Sequence, residues 1–134
     1  MALLMLLVYV TFPQEGCLRD LPGEVAGPAR PRGLDAARLL ARELVAARLA
    51  AGVNILPGVV STYRWQGAVR EAAEIVLLAQ VSEAALADFR AHVRARHPHE
   101  VPCISALPIA DGDAAFLRWI GENSLPAQSD AIHP

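Results

Sequence analysis

The chain comprises 134 residues, the length of one domain rather than two. With 54% hydrophobic and 19% charged residues it has the apolar content to build a core, which excludes a collagen, a coiled coil and a disordered tail. All 12 basic residues are Arg, 14 acidic residues oppose them, and the formal net charge of -2 leaves no basic footprint for a nucleic-acid backbone.

Met1 to Phe12 has the apolar length of a signal-peptide core, but no Arg or Lys precedes it and no small-x-small cleavage site follows. It also falls short of the roughly 20 residues that a helix needs to cross a bilayer. It reads as a buried strand rich in Leu and Val. Cys17 does not fit a lipoprotein signal, because Gln14 and Glu15 stand where apolar or small residues belong. Cys17 and Cys103 are too few for a disulfide framework, so a reducing compartment is expected.

Residues 13 to 33 contain four Pro and four Gly and read as a loop. From Asp35 to Ala51 the spacing is helical, with Ala37, Leu40, Leu44, Ala47 and Ala51 on one face, Asp35 as its cap and Gly52 as its end. Residues 53 to 81 read as two strands joined by a tight turn at Gln66-Gly67, with a bulge or edge position at Pro57-Gly58. Ser61, Tyr63 and Trp65 alternate onto one face, and the run Ile75 to Ala79 is apolar enough to be buried on both faces. Arms of about 13 residues span roughly 40 Å at about 3.3 Å per residue, more than a domain of this size covers, so symmetric self-association is expected.

Ser82 is placed to cap a second helix reaching His97, with Leu86, Phe89, Val93 and His97 on one stripe and Pro98 ending it. A fourth strand is expected from Val101 to Ile109, then a short helix opened by Asp113 that carries Phe116, Leu117, Trp119 and Ile120. A polar, frayed tail is expected from 123 to 134. The order is βαββαβ plus a final helix, the α+β ferredoxin-like arrangement, with residues 1–122 forming a single domain.

Val53-Asn54-Ile55-Leu56-Pro57-Gly58, followed by Ser61-Thr62-Tyr63-Arg64-Trp65-Gln66-Gly67, resembles the CutA divalent-cation tolerance family. The resemblance continues at His97-Pro98-His99-Glu100-Val101-Pro102, at Ala106-Leu107-Pro108-Ile109 and at Phe116-Leu117-Arg118-Trp119-Ile120, and covers about residues 2 to 122. It implies a cytoplasmic homotrimer built like the PII signalling proteins, tolerance of divalent metals, and binding of copper or another divalent ion. The chain departs from the family at Gly52, where Cys is common, at Gln80 for Lys, at His99 for Tyr and at Cys103 for Glu. Its stretch from 14 to 33 is longer than the family's connection and reads as a surface insertion.

Two imidazoles, a carboxylate and a thiol stand close together at His97, His99, Glu100 and Cys103, donor types that suit copper or zinc. Two of the four have a plainer reading. His97 extends an apolar helical stripe, Cys103 behaves as a small buried hydrophobe in a strand, and His92 lies on another helical face exposed to solvent. Ser61, Tyr63, Arg64, Trp65 and Trp119 are the expected interface or cleft residues, and Glu71 and Glu74 a charge pair.

Three function classes follow: a metal-responsive trimer, a PII-like scaffold that binds a small molecule between subunits, and an enzyme. The third is disfavoured by the lack of a Gly-Lys phosphate loop, a Gly-x-Ser-x-Gly elbow and a His-Glu-x-x-His helix. RNA binding fails because the third strand lacks the aromatic pattern an RNA-binding sheet uses, and no membrane partner is expected.

Overall fold

The computed structural model describes residues 4–24, 27 and 30–126. The elements are β1 (Met5–Pro13), α1 (Leu34–Ala46), β2 (Gly52–Trp65), β3 (Ala68–Ser82), α2 (Leu86–Arg96), β4 (Ile104–Pro108) and α3 (Ala114–Asn123), with a single 3-10 turn, Glu83–Ala85, leading into α2. The four strands form one antiparallel sheet in the order β2-β3-β1-β4. This is the expected ferredoxin-like α+β order with its final helix.

β1 is apolar at nearly every position and lies between β3 and β4, with Leu6, Val8, Val10 and Phe12 buried while Met5, Leu7 and Tyr9 on the other face are only partly covered. Leu6, Val8, Val10 and Phe12 point to the helix side, where they meet Leu40 and Leu44 of α1 and Phe89 and Val93 of α2. Each such side chain contributes roughly 1.5 to 3 kcal/mol by leaving water. Alternation sends Leu7, Tyr9 and Thr11 to the opposite face. Register carries that face to the neighbouring strands, since Thr11 stands opposite Val76, and Tyr9 opposite Leu78 and Ser105. α3 lies against only one end of this second face, where Gly121 approaches the Met5 side chain and Trp119 approaches Gly52.

The hairpin follows the sequence closely. Gln66 and Gly67 both have positive φ, 49° and 78°, the backbone of a tight turn that matches strand twist. The pairing of β2 with β3 slips between Leu56 and Val59, so Pro57-Gly58 is a bulge on an edge strand. Ile75, Val76, Leu77 and Ala79 are buried as the apolar run requires, whereas Val60 and Val69, toward the turn, are both 67% exposed.

The chain ends its elements differently from the expectation in five places. α1 starts at Leu34 behind Gly33, so Asp35 lies inside the first turn and caps nothing. It also stops at Ala46, because Arg48 turns to φ 61° and the amides of Leu49 and Ala50 both bond back to the Leu44 carbonyl. Gly52 therefore begins β2 instead of ending the helix. β4 begins at Ile104, three residues late, because residues 98–103 turn away to form a wall described below. The chain after Asn123 is anchored at first, since the buried Ser124 hydroxyl accepts from the Ser82 amide at 2.9 Å and donates to the Leu49 carbonyl at 3.2 Å. The expected fraying of 127–134 lies outside the described residues.

Candidate functional site

A cleft of about 710 Å³ opens on the sheet face opposite α1 and α2, beyond the end that α3 covers. Its floor is Tyr9 and Thr11 of β1 with Glu74 of β3, one side is the outer arm of β2 (Ser61, Tyr63, Trp65), and the other is the segment from Pro98 to Cys103. Alternation builds this geometry. Ser61, Tyr63 and Trp65 share one face of β2, and Arg64 takes the other. Pro98 ends α2 and sends the chain across the sheet instead of straight into β4.

The structure brings His99, Glu100 and Cys103 to the cleft, together with Ser61, Tyr63 and Trp65. Cys103 is exposed and precedes the strand, which corrects the expectation of a buried strand residue; it stands free, as does Cys17. Trp119 is elsewhere, stacked on Phe116 with ring centroids 5.5 Å apart, and Arg64 does not line the cleft. Sequence reasoning missed Tyr9 and Thr11 and read Glu74 only as half of a charge pair with Glu71. The odd-numbered positions of β1 were the available signal, once the neighbour across β3 is known.

His97 stands behind the cleft wall, fully buried. Its Nε2 lies 2.7 Å from the Thr11 carbonyl oxygen and its Nδ1 3.0 Å from the His99 amide nitrogen. A carbonyl only accepts and an amide N–H only donates, so the ring is neutral with its proton on Nε2. Burial pushes its pKa below the usual histidine value, and the bond to Thr11 opposes that only in part. Neither ring nitrogen is open to a metal without breaking one of these bonds. His97 also packs edge-on against Phe12, 5.4 Å between centroids, which fits its place on the apolar stripe.

One residue before His97, the buried Arg96 guanidinium holds a network that the sequence did not reveal. It donates to both Glu43 carboxylate oxygens on α1, to Glu24 at 2.7 Å and to the Arg19 carbonyl at 2.9 Å. His92 lies 2.8 Å from Glu43, so it belongs to this network and is not a solvated surface residue. Burial alone would push the Glu43 carboxyl up, but the bonds from Arg96 and His92 outweigh it and hold Glu43 below the usual carboxylate range. The same bonds, from Glu43 first, hold Arg96 more firmly protonated. Because Glu24 and Arg19 belong to the 14–33 stretch, Arg96 ties that stretch to the end of α2, immediately before the cleft wall. Gly16 of the same stretch approaches Pro98.

At Gly52 an added Cβ would lie 2.7 Å from the Gln80 amide oxygen and 3.3 Å from the Trp119 ring. Gln80 in turn donates to the Asn54 side chain at 2.9 Å. The two departures at 52 and 80 are therefore one packing arrangement, and it lies outside the cleft.

His99, Glu100 and Cys103 carry the right donor chemistry for a borderline or soft divalent ion. Among the described residues, however, no three His, Cys, Asp or Glu side chains are grouped so as to hold a metal. The donors present do not complete a coordination shell by themselves. No helix among the described residues is long and apolar enough to cross a membrane.

Comparison with known proteins agrees with this architecture. The model of the CutA1 divalent ion tolerance protein family matches residues 32–123, starting where the inserted stretch ends. The divalent-cation tolerance protein CutA of Thermus thermophilus is 48% identical over 90 residues, 67% of this chain and 87% of that protein. The chloroplastic CutA 1 of Oryza sativa is 40% identical over 86 residues, 64% of this chain but only 49% of the plant protein, so the match spans about half the plant relative's length. Among solved structures, the Thermus thermophilus Cut A1 protein superposes with a TM-score of 0.73 at 38% identity, covering 90% of this chain and 98% of that one. The Archaeoglobus fulgidus structure, described as a periplasmic CutA, gives 0.72 at 30% identity over 90% of this chain and 98% of its own. With its family match, its ferredoxin-like sheet and its hairpin sequence all in agreement, the chain belongs to the CutA1 divalent ion tolerance family.

Proposed function

We propose that this chain serves divalent-cation tolerance as a cytoplasmic homotrimer, and that it takes up its cation, copper or another divalent ion, in the cleft through His99, Glu100 and Cys103. The observation that carries this reading is that those three donor types line one wall of a cleft that also contains Glu74. His97 serves the same wall from behind, positioning Thr11 and His99 without ligating. Assembly is supported by the uncovered outer hairpin, by the unpaired edges of β2 and β4, and by the exposed Val101 and Leu107. Two free cysteines suit a reducing compartment. In this reading residues 1–122 form one domain with 14–33 as its insertion.

A second reading, a PII-like scaffold that binds a small molecule, is favoured by the aromatic lining from Tyr9, Tyr63 and Trp65. The two readings separate in a thermal-shift titration of metal-stripped protein, because a ligand stabilises the state it binds. A rise in melting temperature with Zn(II) or Cu(II) that is lost in His99→Ala and Cys103→Ser supports cation uptake. A rise only with organic ligands, unaffected by those variants, supports the scaffold.

A further inference from the structure

The carbonyls that close α2 are not satisfied by the chain that follows it. Pro98 has no amide hydrogen to give the Arg94 carbonyl, and the His99 amide is taken by the His97 ring. The 14–33 stretch supplies donors instead. The Arg19 guanidinium reaches the Arg94 carbonyl oxygen at 2.7 Å, and the Arg19 amide reaches that of Arg96, also at 2.7 Å. Arg96 returns bonds to the Arg19 carbonyl at 2.9 Å and to Glu24 at 2.7 Å, so each arginine satisfies the other's backbone. The same stretch is seated at two further points: Leu18 is buried in the core, and Gly16 lies against Pro98 while its carbonyl accepts the Gly33 amide at 2.9 Å.

The wall from 98 to 103 has few holds of its own. Among the described residues it is bonded to the rest of the fold by the His99 amide on His97 Nδ1, 3.0 Å, and by the Cys103 carbonyl on the Thr11 amide, 3.4 Å. The first of these depends on where His97 sits. His97 follows the last residue of α2 and is held to it by its own amide, which donates to the Val93 carbonyl at 2.8 Å. The last turn of α2 therefore carries the anchor of the wall.

We propose that residues 16–24 form a strap that controls the wall: fastened to α2 through Arg19 and Arg96, it keeps the last helical turn wound and His97 seated, and unfastened, it lets that turn fray and frees the wall. Arg19 is then a positioning residue, acting through the helix end. The fastening is releasable because its parts are accessible. Arg19 is exposed, and the Glu24 side chain is 39% exposed, so the outer ion pair is half-solvated and weak. A frayed end turn is also among the least costly openings a fold has. The strap grips a helix on one side of the sheet, while the wall lines the opposite face, so the contact carries a local change across the molecule. It lies within one chain and holds whatever meets the wall, cation or neighbouring subunit.

The test uses the full chain with Arg19→Ala, which removes the guanidinium, and Arg19→Pro, which removes the amide donor as well; neither alters the Arg96–Glu43 pair. Release of the strap is read as alkylation of the half-buried Cys17 by iodoacetamide, located by peptide mass spectrometry. Release of the wall is read as hydrogen–deuterium exchange at the His97 and His99 amides, with the β1 and β3 amides as internal reference. Arg19→Ala is expected to speed both readouts roughly threefold to tenfold, the weight of one hydrogen bond, and Arg19→Pro roughly tenfold to a hundredfold, with the reference amides unchanged. Faster alkylation of Cys17 with unchanged exchange at His97 and His99 would overturn the proposal, because the strap would then carry nothing to the wall. No change in either readout would overturn it too, since Arg19 would not be the fastening. Exchange rising equally in β1 and β3 would mean a global loss and count against it. Should Arg19→Pro fail to fold, Arg19→Ala decides the matter alone.

Discussion

The Nε2 proton of His97 is donated to the Thr11 carbonyl oxygen at 2.7 Å, joining the end of α2 to the β1 residue on the cleft floor. Removing the ring leaves that carbonyl and the His99 amide without partners and opens a void beside Phe12. His97→Ala should therefore destabilise the protein by about 2 to 4 kcal/mol. His97→Gln should recover part of this, and denaturant unfolding of the three proteins checks the order. Since His97 does not ligate in this account, His97→Gln should also keep its Zn(II) uptake.

Acid should weaken the fold in two stages. His97 is neutral when folded, and its folded pKa lies below the ordinary 6.5, so its contribution is complete above pH 6.5 and is lost as pH falls toward the folded value. Glu43 is also depressed, below 4.5, so its contribution is present above that pH and disappears as the carboxylate is protonated at lower pH. Thermal melts stepped from pH 7.5 to 3 should fall once pH drops below 6.5 and fall further below 4.5, and His97→Gln should lessen the decline that begins at 6.5 while the Glu43 contribution is kept.

The same guanidinium makes two pairs of unequal worth. The Glu43 side chain is 22% exposed, whereas Glu24 is 39% exposed. Arg96→Ala strands a partly buried carboxylate beside His92 and should cost about 3 to 5 kcal/mol. Glu24→Gln gives up a half-solvated pair and should cost no more than about 1 kcal/mol. Limited proteolysis should cut the 14–33 stretch faster in Arg96→Ala than in wild type, because Arg19 and Glu24 lose their anchor.

Two glycines with positive φ should respond differently to Ala. At Gly67 a Cβ meets open space, so the substitution should cost about 1 kcal/mol of backbone strain. At Gly33 a Cβ would lie 2.2 Å from the Gln14 carbonyl oxygen, so the start of α1 must move and the loss should exceed about 2 kcal/mol. Chemical denaturation of the two variants checks the contrast.

Strands, hairpin turn and bulge were legible because alternation, Gln66-Gly67 and Pro57-Gly58 are local signals. The α1 boundaries were not, because Arg48 adopts a left-handed turn that composition does not predict, and Gly33 is required by an approach to Gln14 across the loop. Within the site, residues close in sequence were found and those joined by pairing were missed. Tyr9, Thr11 and Glu74 reach the cleft only through the β1–β3 register. Arg96 looked like one more surface charge on a helix, and its burial depends on Glu24 and Glu43, which are distant in sequence.

The central claim, cation uptake at the cleft wall, is tested most directly by native mass spectrometry of metal-stripped protein with stepwise additions of Cu(II) or Zn(II). The account predicts a trimer that takes up one ion per subunit and loses that uptake in His99→Ala and Cys103→Ser while remaining assembled. A trimer that gains only nonspecific adducts, or specific uptake that both variants leave intact, would contradict it.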